Sequence, residues 1–225
     1  MPLNEQATSR SFATTSTQYK TGDQVHIGIV ASRYPPAPGL LEVQAARLAE
    51  GLAARGHSVE VLSTKHYEAL ADSEIRNGVQ VRRFMPMLGT GDEAVPAGMW
   101  AFLRQAEGRY DVVHAIGAHS VSTVAAARLA PGAFVMSPLD NGALPVRSNS
   151  PLVRNDAALA RSVFARAKVV FCASDIEAQV SHTVYQVPLE FIVMTNVFDE
   201  ISAHEAAYTE LVARRRKKSA SPTRA

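Results

Sequence analysis

The amino-acid sequence predicts an α/β fold, a single Rossmann-like three-layer domain with a mostly parallel sheet of about seven strands. Short apolar runs rich in β-branched residues recur along the chain, and segments with helical periodicity lie between several of them. The 225 residues are 47% hydrophobic and 20% charged, which suits one sizeable core rather than two.

The stretch from Val25 to Ser63 is predicted to form a strand, a loop, a helix and a second strand. Val25 to Ala31 is apolar and ends at Tyr34 to Gly39, whose three prolines continue neither a strand nor a helix. From 41 to 55 apolar residues recur with helical spacing, and Gly56 ends the helix. Because such crossovers are right-handed, the proline-rich loop lies at the carboxyl edge of the sheet, where ligands of these folds bind.

Later apolar runs predict the other strands, and the segments between them predict helices and loops. The predicted strands are Gly78 to Phe84, Tyr110 to His114, Ala133 to Ser137, Val169 to Ala173 and Phe191 to Met194. The predicted helices are Trp100 to Glu107, His119 to Leu129, a helix capped by Asp156 that runs to Ala167, one that starts at Ser174, and Glu200 to Ala213. Met85 to Gly98 and Ala143 to Asn155 are predicted loops.

Charge is unevenly distributed along the chain. The formal net charge is +2, but six of the 23 basic residues follow Ala213, so the preceding part has 17 basic and 21 acidic residues and a net charge of −4. The folded part therefore offers no general affinity for nucleic acid. We expect a disordered leader over 1–23, the domain over 24–200, and a C-terminal helix with a basic tail over 201–225, with loose chain before Gln24 and after Ala213.

The sequence contains no apolar run near the roughly 18 residues that a membrane span needs, and its first residues lack a hydrophobic signal core. A cytoplasmic protein without a transmembrane segment is the expectation. The single cysteine, Cys172, lies in an apolar run and is predicted to be buried, so a disulfide within the chain is excluded. No His or Cys spacing is typical of a metal site, and no cofactor is predicted.

The segment IVASRYPPAPGLLEVQAARLAEGLAARGHSVEVLS resembles the start of GT4-type glycosyltransferases of the GT-B class. In that family a first strand runs into a PP-x-x-GG-x-E loop, then into a helix that ends in a Gly-His pair, here Gly56-His57. The residues around His114 and the segment Thr195 to Asp199 resemble the family as well. The resemblance covers about Val25 to Asp199 and implies the N-terminal, acceptor-side half of such an enzyme, without the second Rossmann-like domain that binds the nucleotide sugar.

The resemblance also implies candidate substrate-binding residues at the carboxyl edge. Gly39 begins a helix whose backbone N–H groups and positive dipole end suit a pyrophosphate. Leu40 stands where the family has a second glycine, and its side chain would crowd that approach. His114 is open to two interpretations, a strand-end histidine satisfied by the next loop or a residue lining the acceptor cleft.

Three further positions depart from, or match, the family's pattern. Leu139 occupies the position of a histidine beside the reacting sugar, and leucine neither donates a hydrogen bond nor shuttles a proton. Asp140 or Asn141 would have to substitute, which makes Asp140 the one catalytic candidate. Ser174 opens an S-x-x-E capping box that resembles a family junction, although capping alone explains it. Asn196 belongs to the segment that resembles the hinge between the two domains, where Val197 replaces a glycine.

Three functions remain open from the sequence. The chain is half of a hexosyltransferase-like enzyme that uses a nucleotide sugar, is inactive alone, and is completed by a donor-binding subunit, with a sugar or glycolipid as acceptor. Alternatively, it is a non-catalytic binding or interaction domain derived from that fold. A truncated gene product is the third possibility. On the first hypothesis, the predicted carboxyl-edge residues should form an open groove, unless the C-terminal helix covers them.

Overall fold

The computed structural model describes residues 24–139, 157–195 and 200–220. These ranges form one α/β domain of strands and helices in alternation. The strands are β1 (His26–Ala31), β2 (Ser58–Thr64), β3 (Ser73–Arg76), β4 (Val79–Phe84), β5 (Val112–Ile116), β6 (Ala133–Ser137), β7 (Val170–Cys172) and β8 (Ile192–Met194). The helices are α1 (Leu40–Ala54), α2 (Ala97–Gln105), α3 (Val121–Leu129), α4 (Ala157–Phe164), α5 (Asp175–Thr183) and α6 (Glu200–Ala220).

All eight described strands join one sheet in the order β3-β4-β2-β1-β5-β6-β7-β8. Every neighbouring pair is parallel except β3 and β4, which are antiparallel. The mostly parallel Rossmann-like fold predicted from the sequence is therefore confirmed. The strand that the sequence analysis did not anticipate is β3, in a polar stretch that joins β4 through Asn77 and Gly78, at φ 47° and 81°. Two successive residues with positive φ make the tight turn that suits the twist of a hairpin.

Two hydrophobic clusters cover the two faces of the sheet. On one face α1 and α6 pack against the strands, with Ala45, Leu48, Leu52, Tyr208 and Val212 among their fully or nearly fully buried residues. On the other face, the contributing helices include α2, α3 and α4. This arrangement gives the three layers that the alternation of strands and helices predicts.

Helix α6 differs from the predicted helix in length and in its relation to the sheet. It continues through the basic residues to Ala220 instead of ending at Ala213, because Arg and Lys are good helix formers. The expectation of loose chain directly after Ala213 is therefore wrong as far as residue 220. A Cβ at Gly51 would collide with the side chain of Ile201, so glycine lets α6 approach α1 closely.

Candidate functional site

The strand order reverses direction between β1 and β5, and this point defines the candidate site. The chain moves from β1 outward through β2 and β4, then returns to β5 on the other side of β1. In open parallel sheets, ligands bind in the crevice beyond the carboxyl ends of the two strands at such a reversal. Here the loops that flank this crevice are 32–39, after β1, and 117–120, after β5.

Gly39 precedes the first turn of α1 at one side of the crevice. Its φ of 147° lies in a region that favours glycine, and a Cβ there would collide with the Glu42 carboxylate. The side chain of Glu42 is only 5% exposed, and its Oε1 lies 2.7 Å from Arg33 Nε. The carboxylate therefore lies at the positive end of the α1 dipole, where an incoming anion would also bind.

Leu40 is the first residue of α1 and is 64% exposed. Its side chain is not part of the core, which explains why the fold tolerates leucine where the family pattern has glycine. This exposed apolar group follows directly after the loop that flanks the crevice. That it crowds a ligand at the start of the helix remains a prediction.

His114 does not line an open edge. It is the central residue of β5, is fully buried, and lies beneath α6. Its Nδ1 is 2.5 Å from the Tyr208 hydroxyl of α6, and its Nε2 is 2.9 Å from Ser137 Oγ of β6. The expectation that His114 lines the acceptor cleft is therefore wrong, as is the alternative that the next loop satisfies it, because the partners come from a neighbouring strand and from α6.

A chain of hydrogen bonds links these residues to His204 of α6. His204 Nδ1 donates to the Glu200 carbonyl at 2.6 Å, so its Nε2 is left as an acceptor for the Ser137 hydroxyl at 3.5 Å. Ser137 then accepts from His114 Nε2–H, and His114 Nδ1 accepts from Tyr208. Both imidazoles are neutral in this assignment, which gives each ring nitrogen a partner.

Burial explains why the neutral forms are favoured. It lowers the pKa of His114 well below its ordinary value, with His204 as a further contribution, and lowers the pKa of His204 to about 4. Burial also raises the pKa of Tyr208 well above its ordinary value. The groups of this network therefore hold α6 on the sheet at neutral pH without placing a charge in the core.

A second buried contact fixes α6 to the end of α1. His57 Nδ1 accepts from the Val25 backbone N–H at 3.2 Å, which leaves Nε2–H to donate to Glu205 Oε1 at 2.9 Å. The other carboxylate oxygen accepts from Arg55 Nη1 at 2.6 Å. The Gly56-His57 pair of the family motif thus contributes to helix packing in this chain. No sequence spacing would have indicated this contact, because His57 and Glu205 are 148 positions apart.

The segment after β6 contains Leu139, at the position where the family resemblance places a histidine. Leu139 has a φ of 52°, is half-buried, and packs against the hydrophobic cluster beneath α1 and α6. Its side chain contributes to packing at the carboxyl edge. Asp140 and Asn141, the candidates for replacing the missing polar group, lie outside the described residues, as does Asn196.

Ser174 caps helix α5, which agrees with its capping interpretation. Its hydroxyl accepts from the Glu177 backbone N–H at 3.2 Å, while the Glu177 carboxylate accepts from the Ala173 N–H at 2.7 Å. In an ordinary capping box the carboxylate accepts from the backbone N–H of the N-cap residue, which here is Ser174, whereas Glu177 accepts from the residue before it. Ser174 lies at the carboxyl edge beside β7, yet its hydroxyl already has a structural partner.

The carboxyl edge also contains polar residues that the sequence analysis did not single out. Arg83, buried in β4, donates to the Pro35 carbonyl at 2.8 Å and pairs with Glu74 at 2.6 Å, so it ties the loop after β1 to β3. His66 follows β2, and burial, with Arg83 and Arg33 nearby, lowers its pKa. A single arginine within a strand and a single histidine after one form no recognisable spacing, so no sequence motif indicated them.

The described residues contain no cluster of three or more His, Cys, Asp or Glu side chains placed to hold a metal ion. Among the described helices, none combines the length and the apolar character needed to cross a membrane.

Comparison with known proteins identifies the family. The profile of the family described as "Glycosyl transferase 4-like domain" matches residues 41–194, more than half of the chain. The chain belongs to this family. A search of curated protein sequences finds no significant match.

Solved structures agree with this family at the level of the fold. A sucrose-phosphate synthase from Thermosynechococcus elongatus matches with a TM-score of 0.51 at 14% identity, over 76% of this chain and 47% of that chain. A second structure of that synthase, labelled with the segments 27–220 and 406–426, matches with a TM-score of 0.50 at 14% identity, over 86% of this chain and 99% of that chain. This glycosyl transferase 4-like chain spans about half the length of the first synthase and nearly all of the second.

Proposed function

We propose that this chain is the acceptor-side half of a GT-B glycosyltransferase that transfers a sugar from a nucleotide sugar to an acceptor. The observation that carries the proposal is the family match over residues 41–194 together with the match to about half of a longer glycosyltransferase chain. The reversal of strand order between β1 and β5 supports it, because the crevice there has the position of a ligand site in such folds.

In this proposal the site is completed by a donor-binding half on the opposite side of the crevice. Catalysis of sugar transfer requires fixed groups around the leaving nucleotide's pyrophosphate. The start of α1 contributes backbone N–H groups from one side only, and Glu42 already compensates its dipole. We therefore expect the chain to have no measurable transferase activity by itself.

The candidate residues divide by their contacts. Gly39 and Leu40 border the crevice and would face the donor's pyrophosphate. Asp140 is the candidate acid or base in place of a histidine at 139, with Asn141 and Asn196 as polar contacts to substrate. Ser174 and His114 have structural roles instead. Ser174 caps α5, and His114 binds Tyr208 of α6.

A non-catalytic binding domain is the second candidate function, and two residues favour it. Leu40 is 64% exposed at the helix start, where the family pattern has a second glycine, and the half-buried Leu139 stands at the position of the family's histidine. A domain with both features would retain the fold and the crevice while lacking the means to stabilise a leaving nucleotide.

Calorimetric titration of the purified chain with a panel of nucleotide sugars tests the proposal, alone and with a separately expressed donor-binding domain of the GT-B class. Binding and turnover only in the presence of the second domain support the split-enzyme function. Turnover by the chain alone contradicts the expected dependence. Absence of binding and turnover in both cases, with the domains shown to associate, favours the non-catalytic domain.

Variants at the crevice sharpen this experiment. Leu40→Gly with Leu139→His should strengthen nucleotide-sugar binding in the completed pair, because the first relieves crowding and the second restores a polar group. Asp140→Asn should abolish turnover and leave binding intact if Asp140 is the acid or base. Unchanged binding in the double variant would mean that positions 40 and 139 are ordinary family variation.

A further inference from the structure

The amino edge of the sheet, opposite the candidate crevice, carries an excess of exposed cations. The helices that follow the parallel strands run back to this edge, so the basic residues of their last turns and of the loops after them collect there. This set, called the basic edge, consists of Arg104 in the last turn of α2, Arg128 in the last turn of α3, and Arg166 and Lys168 between α4 and β7, all exposed. Cations also suit these positions because they face the negative ends of helix dipoles.

Helix α6 extends the basic edge. It runs beside α1 in the same direction, since Ile201 packs at Gly51 while Glu205 reaches Arg55 and His57 at the α1 end. Residues 213–219 therefore continue past the amino edge, where all of them are exposed. Five of them are consecutive cations, Arg214 to Lys218, of which Arg214 pairs with Glu210.

Anionic side chains at the amino edge are fewer. Glu107 and Glu190 are exposed, whereas the Asp111 carboxylate accepts the His26 backbone N–H at 3.0 Å. The nearby glutamates Glu60 and Glu205 are buried and bound to arginines, so they add little field outside the protein. The basic edge therefore has a clear positive excess.

The carboxyl edge has the opposite character. Its exposed charged residues include four acids, Glu68, Asp72, Asp92 and Asp175. Arg33 at that edge pairs with the buried Glu42, and Lys65 pairs with Asp72. Among the described residues, exposed charge is thus uneven along the strand direction, with an excess of cations at the amino edge and of acids at the carboxyl edge.

We propose that the basic edge, with the end of α6, binds the surface of an anionic lipid bilayer. The cations are spread along the width of the sheet and end in a protruding helix, which fits a broad planar anion better than a groove for one strand. Residues 213–220 contain no aromatic side chain on which a nucleic-acid base could stack. They also contain no large apolar side chain to insert among lipid tails, so the attachment is electrostatic and peripheral.

Vesicle co-sedimentation of the full chain at 0.1 M salt tests this inference. Binding is expected to vesicles of phosphatidylcholine with 30% phosphatidylserine, and not to phosphatidylcholine alone. Each basic residue near such a surface strengthens partitioning by about fivefold, so Arg215→Gln with Arg216→Gln should weaken it by about 25-fold. Raising the salt to 0.5 M should release the protein, because screening shortens the reach of the charges.

A matched control separates position from net charge. Ala101→Glu with Gln179→Glu changes the net charge by the same two units at exposed sites in the middle of α2 and α5. This control should bind anionic vesicles nearly as well as the unchanged chain, and circular dichroism should give all three proteins the same melting temperature. The readout is vesicle binding, so failure here leaves the proposed glycosyltransferase function untouched.

Three results would overturn the inference. The first is equal binding to neutral and anionic vesicles, or none to either. The second is an equal loss of binding in the control and in the Arg215 and Arg216 variant. The third is tighter binding, at the same salt, to a 30-nucleotide poly(U) RNA than to anionic vesicles, which would identify RNA as the partner.

Discussion

Leu40 at the start of α1 and His114 at the centre of β5 were both expected at the substrate site, yet they differ in solvent exposure. Leu40 is 64% exposed beside the crevice, whereas His114 is completely buried beneath α6. Both belong to segments that resemble one enzyme family. A sequence motif therefore indicates which strand or helix contains a residue. Whether that residue is accessible to a ligand depends on the helix that packs over it.

The largest expected effect is on the free energy of unfolding, at the residues that α6 buries. His114→Ala leaves a cavity and removes partners from Tyr208 and Ser137, so we expect a loss of about 3 kcal/mol in the free energy of unfolding. Urea denaturation measures it. His26→Ala at an exposed position of β1 is the control and should cost below about 0.5 kcal/mol. A loss under about 1 kcal/mol for His114→Ala would mean that α6 does not depend on this network.

The second contact of α6 should show a smaller but clear cost. Glu205→Gln keeps one acceptor oxygen and loses the charge that pairs with Arg55, so we expect a loss of about 2 kcal/mol by urea denaturation. Glu210→Gln, on the same helix, removes the exposed pair with Arg214 and should cost at most about 0.5 kcal/mol. Equal effects of the two substitutions would contradict the assignment of Glu205 as an anchor.

Acid should lower the stability of the domain through the histidines buried between α6 and the sheet. The pKa of His204 is about 4 in the folded protein because of burial, and about 6.5 in the unfolded chain. Above pH 6.5 the group is neutral in both states, whereas below it the unfolded chain binds the proton first, so stability falls as the pH falls towards 4. We expect His204 to contribute a loss of roughly 1 kcal/mol between pH 6.5 and 5.5, since the unfolded chain is already half protonated at pH 6.5.

Urea denaturation at the two pH values measures this dependence, and His114 acts in the same direction because burial also lowers its pKa. His204→Phe keeps a ring against Phe171 and Tyr208 but has no proton to bind. Its stability should therefore vary less with pH over this range. An equally steep dependence in that variant would assign the effect to other groups.

The smallest expected effect on stability is at the exposed start of α1. Leu40→Gly removes a solvent-exposed side chain at the first position of α1 and should cost at most about 1 kcal/mol of unfolding free energy. Thermal unfolding followed by circular dichroism measures it, with Leu40→Ala as the control that should cost almost nothing. A loss above about 2 kcal/mol would place Leu40 in the packing of the domain.

Most of the fold follows from the sequence because local patterns carry it. β-branched runs and the periodicity of 41–55 predict β1, α1 and β2 within one or two residues. The hairpin of β3 and β4 was overlooked although Asn77-Gly78 is a strong hairpin signal, because β3 is polar and short. The site is less predictable, since the placement of His114 depends on a helix more than 80 residues further along the chain.

Helix α6 can cover the sheet only after nearly the whole domain has been synthesised. Its buried contacts join Glu205 to His57 and Tyr208 to His114 across 148 and 94 positions of the chain. At a translation speed of about 5–20 residues per second, a ribosome needs roughly 5–19 s to synthesise the residues between His114 of β5 and Tyr208 of α6. During that interval the apolar face between α1 and β5 lacks its cover, so the nascent domain offers a binding surface to chaperones until α6 emerges.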